Sequence, residues 1–277
     1  MSPNPKDLLV LDRGHNTTCT IHLHGATVLS WILKGEEKIF LSPKAVFDNK
    51  KAIRGGIPVV FPCFGPWELG PAHGFARISR WEVIQEPKKT EAGDIRAILV
   101  LTDSESSRKL WNYSFRLTYT VTLAENSLVT DFSVTNKSSE SFDFTCLLHT
   151  YFRVDDINTV SVSGLKGLKY ADKVRDGNLF SEDREVVTIR ENVDRVYIAT
   201  ENTHLISNTL DGKTLTISKS NFPDTVVWNP WKAKAAAMPD LGEESYPNMV
   251  CVEAGHVSSP VNLSAGATYN ASQTLQA

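Results

Sequence analysis

Residues 113–123 read YSFRLTYTVTL, the clearest secondary-structure pattern in the chain. Apolar or aromatic side chains occupy its odd-numbered positions, and mostly polar side chains occupy the even-numbered ones. Successive side chains of a β-strand point to opposite faces, so the alternation predicts a half-buried antiparallel strand. Segments 128–135 and 214–218 repeat the pattern, and Asp211-Gly212 just before the second of these predicts a hairpin turn.

Further strand candidates lie at short spacing along most of the chain. They are 18–24, 27–33, 37–41, 81–86, 95–102, 141–148, 157–163, 185–190, 193–199, 204–208, 224–229, 249–253 and 267–273. Helical patterns are few; the best covers 231–238, and Pro239 and Gly242 end it. This density of strands predicts an all-β protein, a large antiparallel sandwich or barrel with few short helices. With no long linker and no repeat, we expect one domain over residues 1–277.

Composition is that of an ordinary globular protein. Hydrophobic residues make up 41% and charged residues 22% of the 277 residues. The formal net charge of −3 argues against a nucleic-acid partner, because nucleic-acid-binding domains usually carry a clustered excess of lysine and arginine. Binding of an anion would need arginine or lysine residues gathered at one place.

Four cysteines are dispersed along the chain, with no Cys-x-x-Cys pair: Cys19, Cys63, Cys146 and Cys251. Their spacing favours free, mostly buried thiols and argues against a metal site built from this set. The first residues do not resemble a secretory signal, and no apolar stretch approaches the roughly 18 residues of a membrane span. We therefore expect a cytoplasmic protein with no membrane partner.

One segment breaks the strand pattern. Residues 53–80 read IRGGIPVVFPCFGPWELGPAHGFARISR, which is dense in glycine and proline and also rich in aromatic residues. Four prolines rule out a regular strand, since each removes a backbone donor. The aromatic residues argue against disorder. Both observations together predict a long ordered loop packed over a site, and such loops often carry function.

Three motifs hold residues that could perform chemistry. Within the loop, Arg54 and the HGFAR segment with His73 and Arg77 offer guanidinium groups suited to a phosphate or carboxylate, although ordinary salt bridges fit as well. His149 closes an apolar strand beside two aromatic residues and could equally be a core histidine. Glu253 ends a valine-rich strand, where a carboxylate is costly unless it is paired or functional.

Together these motifs supply an acid/base pair and an anion clamp. The reference pKa of histidine is about 6.5 and that of glutamate about 4.3, so one group can donate a proton while the other accepts one.

The same motifs resemble those of the glucose-6-phosphate 1-epimerases, which are hexose-6-phosphate mutarotases of the aldose 1-epimerase (galactose mutarotase-like) superfamily. The resemblance rests on the loop IRGGIPVVFPCFGPW with HGFAR, on LLHTYF at 147–152, on WNPW at 228–231, and on VCVEAGHVSSPVNLSAG at 250–266. It covers nearly the whole chain, from about residue 23 to residue 277. It implies a β-supersandwich that interconverts the α and β anomers of hexose 6-phosphates, glucose 6-phosphate above all.

The resemblance also implies roles for individual residues. His149 would be the general acid and Glu253 the general base, while His73 would contact the sugar. Arg54 and Arg77 would bind the phosphate. Asp194 would contact sugar hydroxyls. The reaction moves no electrons, so no cofactor and no metal are implied, and the expected partner is a small phosphorylated sugar bound by a monomer.

Other readings stay open at this point. A non-catalytic carbohydrate-binding β-sandwich would use the same arginines and aromatic residues without needing an acid and a base. A glycoside hydrolase or lyase usually needs two carboxylates beside the scissile bond. A regulatory protein on the same scaffold is a third possibility. Five aromatic residues are candidates either for the sugar cleft or for the core: Trp67, Phe75, Tyr151, Phe152 and Trp231.

Overall fold

The computed structural model describes residues 2–277. It contains two short α-helices, α1 (Glu105–Leu110) and α2 (Trp231–Ala236), and four single turns of 3-10 helix at Pro5–Asp7, Ala76–Ile78, Lys173–Arg175 and Tyr246–Asn248. The strands are β1 (Leu8–Gly14), β2 (Thr17–His22), β3 (Thr27–Leu33), β4 (Glu36–Glu37), β5 (Val59–Val60), β6 (Glu82–Lys89), β7 (Ile95–Thr102), β8 (Phe115–Leu123), β9 (Ser127–Asn136), β10 (Phe142–Leu148), β11 (Tyr151–Arg153), β12 (Ser161–Ser163), β13 (Lys169–Asp172), β14 (Asn178–Ser181), β15 (Val186–Thr188), β16 (Val193–Tyr197), β17 (Thr203–Ser207), β18 (Leu215–Ser220), β19 (Asp224–Asn229), β20 (Met249–Leu263) and β21 (Thr268–Gln276).

These strands form three antiparallel sheets. The first has four strands in the order β1-β2-β3-β4. The second has eight, in the order β14-β13-β16-β19-β20-β10-β5, with β11 also paired to β20. The third has nine, in the order β15-β12-β17-β18-β21-β9-β8-β7-β6. The predicted all-β antiparallel architecture with few short helices is confirmed.

The main core lies where the three sheets face one another. In β8 the odd-numbered side chains from Phe115 to Leu123 are buried, as the sequence pattern predicts. They belong to one apolar cluster that also contains Trp31 of the four-stranded sheet and Val250 and Val252 of the eight-stranded sheet. Burial of a continuous apolar face on each sheet is what holds such layers together.

The eight-stranded sheet is buried on both of its faces near its centre. All six residues of β19 are buried, and residues of β20 alternate between two clusters. Val250 and Val252 join the main core, whereas Met249 and Cys251 join a smaller cluster with Tyr151 and Trp228 on the opposite face. Side chains of β20 at odd numbers therefore point away from the main core, which is where Glu253 lies.

Strand β20 carries an irregularity beyond this point. Opposite β10, Cys146 pairs with His256, but Phe144 pairs with Val261, so four residues of β20 face one residue of β10. Asp224 holds the extra segment by accepting hydrogen bonds from the backbone N–H groups of Val257 (2.9 Å) and Ser258 (2.7 Å). The two halves of β20 therefore have separate registers.

Several boundaries differ from prediction. The strand predicted at 249–253 runs on to Leu263, the helix predicted at 231–238 ends at Ala236, and the strand predicted at 37–41 is regular only at Glu36–Glu37. Strands β1, β5, β11, β13 and β14 were not predicted. β5 is a two-residue strand within the 53–80 segment, where the prolines predicted none, and every residue of β14 is exposed, so it lacks the alternation on which the prediction relied. The turn at Asp211-Gly212 joins β17 to β18 with positive φ at both residues, as predicted. Within residues 2–277, no helix combines the length and the apolarity needed to cross a membrane.

Candidate active site

A cavity of about 210 Å³ opens on the face of the eight-stranded sheet that is turned away from the main core. The structure brings all six predicted site residues into its wall. The lining residues are Arg54, Phe64, His73, Arg77, His149, Lys173, Asp194, Val226, Trp228, Lys234, Met238 and Glu253.

Strand register places His149 beside Glu253. Leu148, the last residue of β10, pairs with Ala254 of β20. Because the strands are antiparallel, His149 comes opposite Glu253. The backbone N–H of His149 then donates to the carbonyl of Pro58 at 3.0 Å, which ties this point to the 53–80 loop. His149 Nδ1 and Glu253 Oε1 lie 3.3 Å apart, and both residues are buried.

The two side chains have unused hydrogen-bonding capacity. Although His149 Nδ1 lies near Glu253, the contact lacks hydrogen-bond geometry, and neither this nitrogen nor Glu253 Oε2 has a hydrogen-bond partner within residues 2–277. Buried polar atoms in folded proteins are nearly always partnered. Two unpartnered groups that face the same cavity are therefore available to bind and to exchange protons with a ligand.

Burial sets the protonation of this pair. It lowers the pKa of His149 well below 6.5, and the charges of Arg77 and Arg54 and the ring of His73 add to the effect. Burial also raises the pKa of Glu253 well above 4.5, helped by the nearby carboxylate of Asp194. The single proton that the pair carries is therefore favoured on Glu253, whereas the sequence-based hypothesis put it on His149, because burial penalises both charged forms.

Aromatic rings fix the orientation of the His149 imidazole. It stacks on Tyr151 with ring centroids 4.8 Å apart and planes inclined by 12°, and it meets Trp228 edge-on at 5.9 Å. His73 approaches from the cavity side, also at 5.9 Å. An imidazole packed on three sides has little rotational freedom, which suits a group that must present one atom to a ligand.

The two arginines have different partners. Arg54 donates through Nε to Asp240 Oδ2 and through Nη1 to the hydroxyl of Tyr151, both at 3.2 Å. Arg77 donates through Nη2 to the carbonyl of Ala72 at 2.7 Å, and its buried Nε has no partner within residues 2–277. Burial and the charge of Arg54 lower the pKa of Arg77 to about 10, which still leaves it protonated at neutral pH. Arg77 is thus a cation with donors free for an anion.

His73 is a neutral donor beside these arginines. Burial, with the charge of Arg77 next, lowers its pKa to about 3. Its Nδ1 accepts a hydrogen bond from the N–H of Gly65 at 3.4 Å, so the ring proton is assigned to Nε2. His73 has a φ of 66° and is followed by Gly74, where a Cβ would lie 2.1 Å from the carbonyl oxygen of Phe61. Strained backbone of this kind clusters at functional sites.

Asp194 lies at the Glu253 side of the cavity between two lysines that the sequence analysis missed. Its Oδ1 lies 3.8 Å from Lys173 Nζ, and its Oδ2 lies 3.8 Å from Lys234 Nζ. Lys173 also sits over the ring of Phe64, 4.6 Å from its centroid. No motif marks either lysine; only the position of Lys234 within the predicted helix hinted at a fixed location.

None of the five aromatic residues left open between sugar cleft and core lines the cavity. Phe75, Phe152, Trp67 and Trp231 pack into or against the main core, while Tyr151 lies behind His149 in the smaller cluster. Phe64 and Trp228 line the cavity instead. Trp228 belongs to the WNPW motif, which was the available signal.

Known proteins resemble the chain over nearly its full length. The sequence profile of the aldose 1-epimerase family matches residues 7–276. A Cenchrus ciliaris protein provisionally described as a glucose-6-phosphate 1-epimerase is 37% identical over 100% of this chain and 86% of its own length. An Escherichia coli protein with the same provisional description is 35% identical, over 91% of this chain and 84% of its own.

Solved structures agree with the sequence comparison. The crystal structure of a Salmonella typhimurium protein, provisionally described as a mutarotase, superposes with a TM-score of 0.89 at 29% identity and covers 99% of this chain and 91% of that one. Fold, sequence profile and relatives point the same way, and the chain belongs to the aldose 1-epimerase family.

Proposed function

We propose that the protein interconverts the α and β anomers of hexose 6-phosphates, with glucose 6-phosphate as the first substrate to test. The observation that carries the proposal is the placement of His149 and Glu253, buried, 3.3 Å apart and unpartnered, beside the free donors of Arg77. Family membership supplies the reaction class, and the descriptions of the relatives supply the phosphorylated substrate.

An anomer is a cyclic hemiacetal, so opening it requires a proton delivered to the ring oxygen and another taken from the hydroxyl on C1. His149 delivers the first and Glu253 takes the second. The open chain then rotates about the C1–C2 bond and closes on the other face of the aldehyde, with the two roles reversed. Each positioned acid or base contributes roughly 10²–10⁴ in rate.

Substrate binding moves the proton to where this reaction needs it. The phosphate dianion binds at Arg54 and Arg77 and offsets the positive charge that helps to keep His149 neutral. This shifts the shared proton toward the imidazole, and the ionised carboxylate of Glu253 then lies 3.3 Å from it. Phosphate binding thus also promotes the reaction at C1, so phosphorylated sugars should react faster than free sugars.

Asp194 and His73 complete the recognition of the sugar. The carboxylate of Asp194 accepts hydrogen bonds from hydroxyls at the Glu253 side of the ring, and Nε2 of His73 donates from the opposite side. Lys173 and Lys234 hold Asp194 in place. A single-domain organisation, a monomeric state and a cytoplasmic location stay predictions.

The decisive experiment is NMR exchange spectroscopy on glucose 6-phosphate at anomeric equilibrium, with and without protein. We expect exchange between the α and β signals to accelerate strongly with glucose 6-phosphate and weakly with glucose. Galactose and mannose 6-phosphates, measured in parallel, rank the hexoses. Binding without accelerated exchange would instead indicate a non-catalytic carbohydrate-binding protein, and a released monosaccharide from an oligosaccharide would indicate a hydrolase.

A further inference from the structure

A third side chain lies against the acid/base pair and takes no part in the proposed reaction. Cys251 precedes Glu253 by two residues on β20, so the alternation of the strand puts both side chains on the same face. One donor atom from each of Cys251, Glu253 and His149 falls within 4.8 Å of the other two, and all three residues are buried. No other group of three such residues meets this spacing within residues 2–277.

The donor set and the spacing suit a zinc ion. Thiolate sulfur, imidazole nitrogen and carboxylate oxygen are the ligands that Zn²⁺ prefers, and three protein ligands leave its fourth position open. Nitrogen and oxygen ligands each about 2.0–2.1 Å from a tetrahedral ion lie roughly 3.3 Å from each other. The distance from His149 Nδ1 to Glu253 Oε1 is 3.3 Å.

A second observation points to a ligand independently of the spacing. His149 Nδ1 and Glu253 Oε2 are buried atoms with no hydrogen-bond partner within residues 2–277. His149 and Glu253 are 8% and 1% exposed, so their free lone pairs cannot be satisfied by bulk solvent. A metal ion would satisfy both at once.

The arginines of the cavity do not forbid a cation here. Binding releases the thiol proton of Cys251 and the carboxyl proton of Glu253 to solvent, since metal ligands bind in their deprotonated forms. A divalent ion replaces these protons charge for charge, so the net charge beside Arg54 and Arg77 stays the same.

We propose that Cys251, His149 and Glu253 form a three-ligand Zn²⁺ site, and that Zn²⁺ bound there blocks the sugar reaction. The ion would occupy the lone pairs of both the acid and the base. The protein would then be sensitive to Zn²⁺ although the proposed reaction requires no metal.

Cobalt serves as the spectroscopic probe, because Co²⁺ accepts the same ligand types as Zn²⁺. We expect the full chain to bind one Co²⁺ with a thiolate-to-cobalt absorption band and the intense visible bands of a tetrahedral site, and Zn²⁺ to displace it. Cys251→Ser should lose the thiolate band. Cys63→Ser is the matched control, since Cys63 is a free, half-buried cysteine outside the cluster, and should keep it.

Either of two results would reject the metal site. A thiolate band that survives in Cys251→Ser, or the absence of any tetrahedral cobalt spectrum in the wild-type protein, rejects it. Cys251→Ala provides a second variant in case serine disturbs the buried position. This arm does not depend on the proposed function.

Inhibition is the second arm, and it rests on the proposed function. We expect Zn²⁺ to suppress anomer exchange of glucose 6-phosphate reversibly, with activity restored by a chelator. Cys251→Ser should remain active and need at least about tenfold more Zn²⁺ for the same inhibition, since loss of even an outer-shell partner of a metal ligand costs about 10–100-fold and Cys251 is a ligand itself. Equal sensitivity of wild type and variant would reject the inhibitory role. Absence of anomer exchange in metal-free wild type would reject the proposed function alone.

Discussion

Two buried glutamates of this protein have opposite surroundings. Glu253 is 1% exposed and Glu182, just after β14 in the same eight-stranded sheet, is 2% exposed. Glu182 accepts hydrogen bonds from Nε and Nη2 of Arg184, both at 2.7 Å, and from the hydroxyl of Tyr197 at 2.8 Å. Glu253 has an imidazole nearby but no hydrogen bond to Oε2.

The pKa shifts of Glu182 and Glu253 differ because their hydrogen-bond partners differ, since the two residues are buried to nearly the same extent. Burial alone would raise the pKa of both carboxyls, but at Glu182 the hydrogen bonds from Arg184 and Tyr197 outweigh it and lower the pKa. At Glu253 nothing of that strength opposes burial, and the pKa rises. A satisfied carboxylate contributes to stability, whereas an unsatisfied one is held ready for a ligand.

Glu253 should be needed for catalysis, as should His149, whereas Glu182 should not. Glu253→Gln and His149→Ala should each lower the rate of anomer exchange by roughly 10²–10⁴-fold, because each removes a proton-transfer group. Glu253→Gln breaks no hydrogen bond at Oε2, so thermal unfolding should change little. NMR exchange spectroscopy and a thermal melt measure the two quantities. Near-normal exchange in either folded variant would reject that residue's role.

The next effect concerns the anion site beside the pair. Arg77→Ala should raise KM for glucose 6-phosphate by roughly 10–100-fold, the equivalent of a charge-assisted hydrogen bond worth about 1.5–3 kcal/mol. Free glucose should be affected far less. Arg80→Ala is the matched control, since Arg80 pairs with Asp7 at 2.6 Å outside the cavity wall. Equal losses for both sugars in Arg77→Ala would contradict the phosphate role.

Glu182 should matter for stability and not for turnover. Glu182→Gln should lower the free energy of unfolding by about 2 kcal/mol, since it weakens hydrogen bonds to a charged group, while turnover stays near wild type. The pKa of Glu182 is lowered in the fold, so its contribution is present above the ordinary value of 4.5 and is lost as the pH falls through the lowered value. Denaturant unfolding should show that the difference in the free energy of unfolding between wild type and Glu182→Gln shrinks from neutral to acidic pH. A gap that widens on acidification would contradict the assignment.

The smallest effect is the change of rate with pH near neutrality. The pair works while it carries one proton, so the rate should fall only below the lowered pKa of His149 and above the raised pKa of Glu253. We expect a bell-shaped profile of kcat/KM with its acid limb below pH 6.5. Glu182→Gln should leave the profile unchanged. A single rise centred near the ordinary pKa of histidine would indicate an isolated imidazole instead.

Alternation in the sequence was enough to predict the strands of the sheets, and it failed where alternation is absent. β8 was predicted nearly to its ends, whereas β14 is exposed throughout and gave no signal. The extension of β20 beyond residue 253 was missed because its register is broken at 257–260.

The site was predictable where residues sit in motifs. His149 and Glu253 stand at the ends of apolar runs, and the order of the strands then brings them together. Lys173 and Lys234 come from unrelated surface segments, a 3-10 turn and a short helix, so only tertiary structure places them on Asp194. The location of the proton on Glu253 could not be predicted either, because it depends on how deeply the fold buries both groups.

The broken register of β20 gives this fold a tolerance that a continuous ladder would lack. In an ordinary strand, one inserted residue turns every later side chain to the other face. Here residues 257–260 lie opposite a single residue of β10. They separate the register of the outer part of β20 from that of the part that holds Glu253. The carboxylate therefore keeps its place opposite the imidazole whatever pairing the outer part of β20 makes with β10.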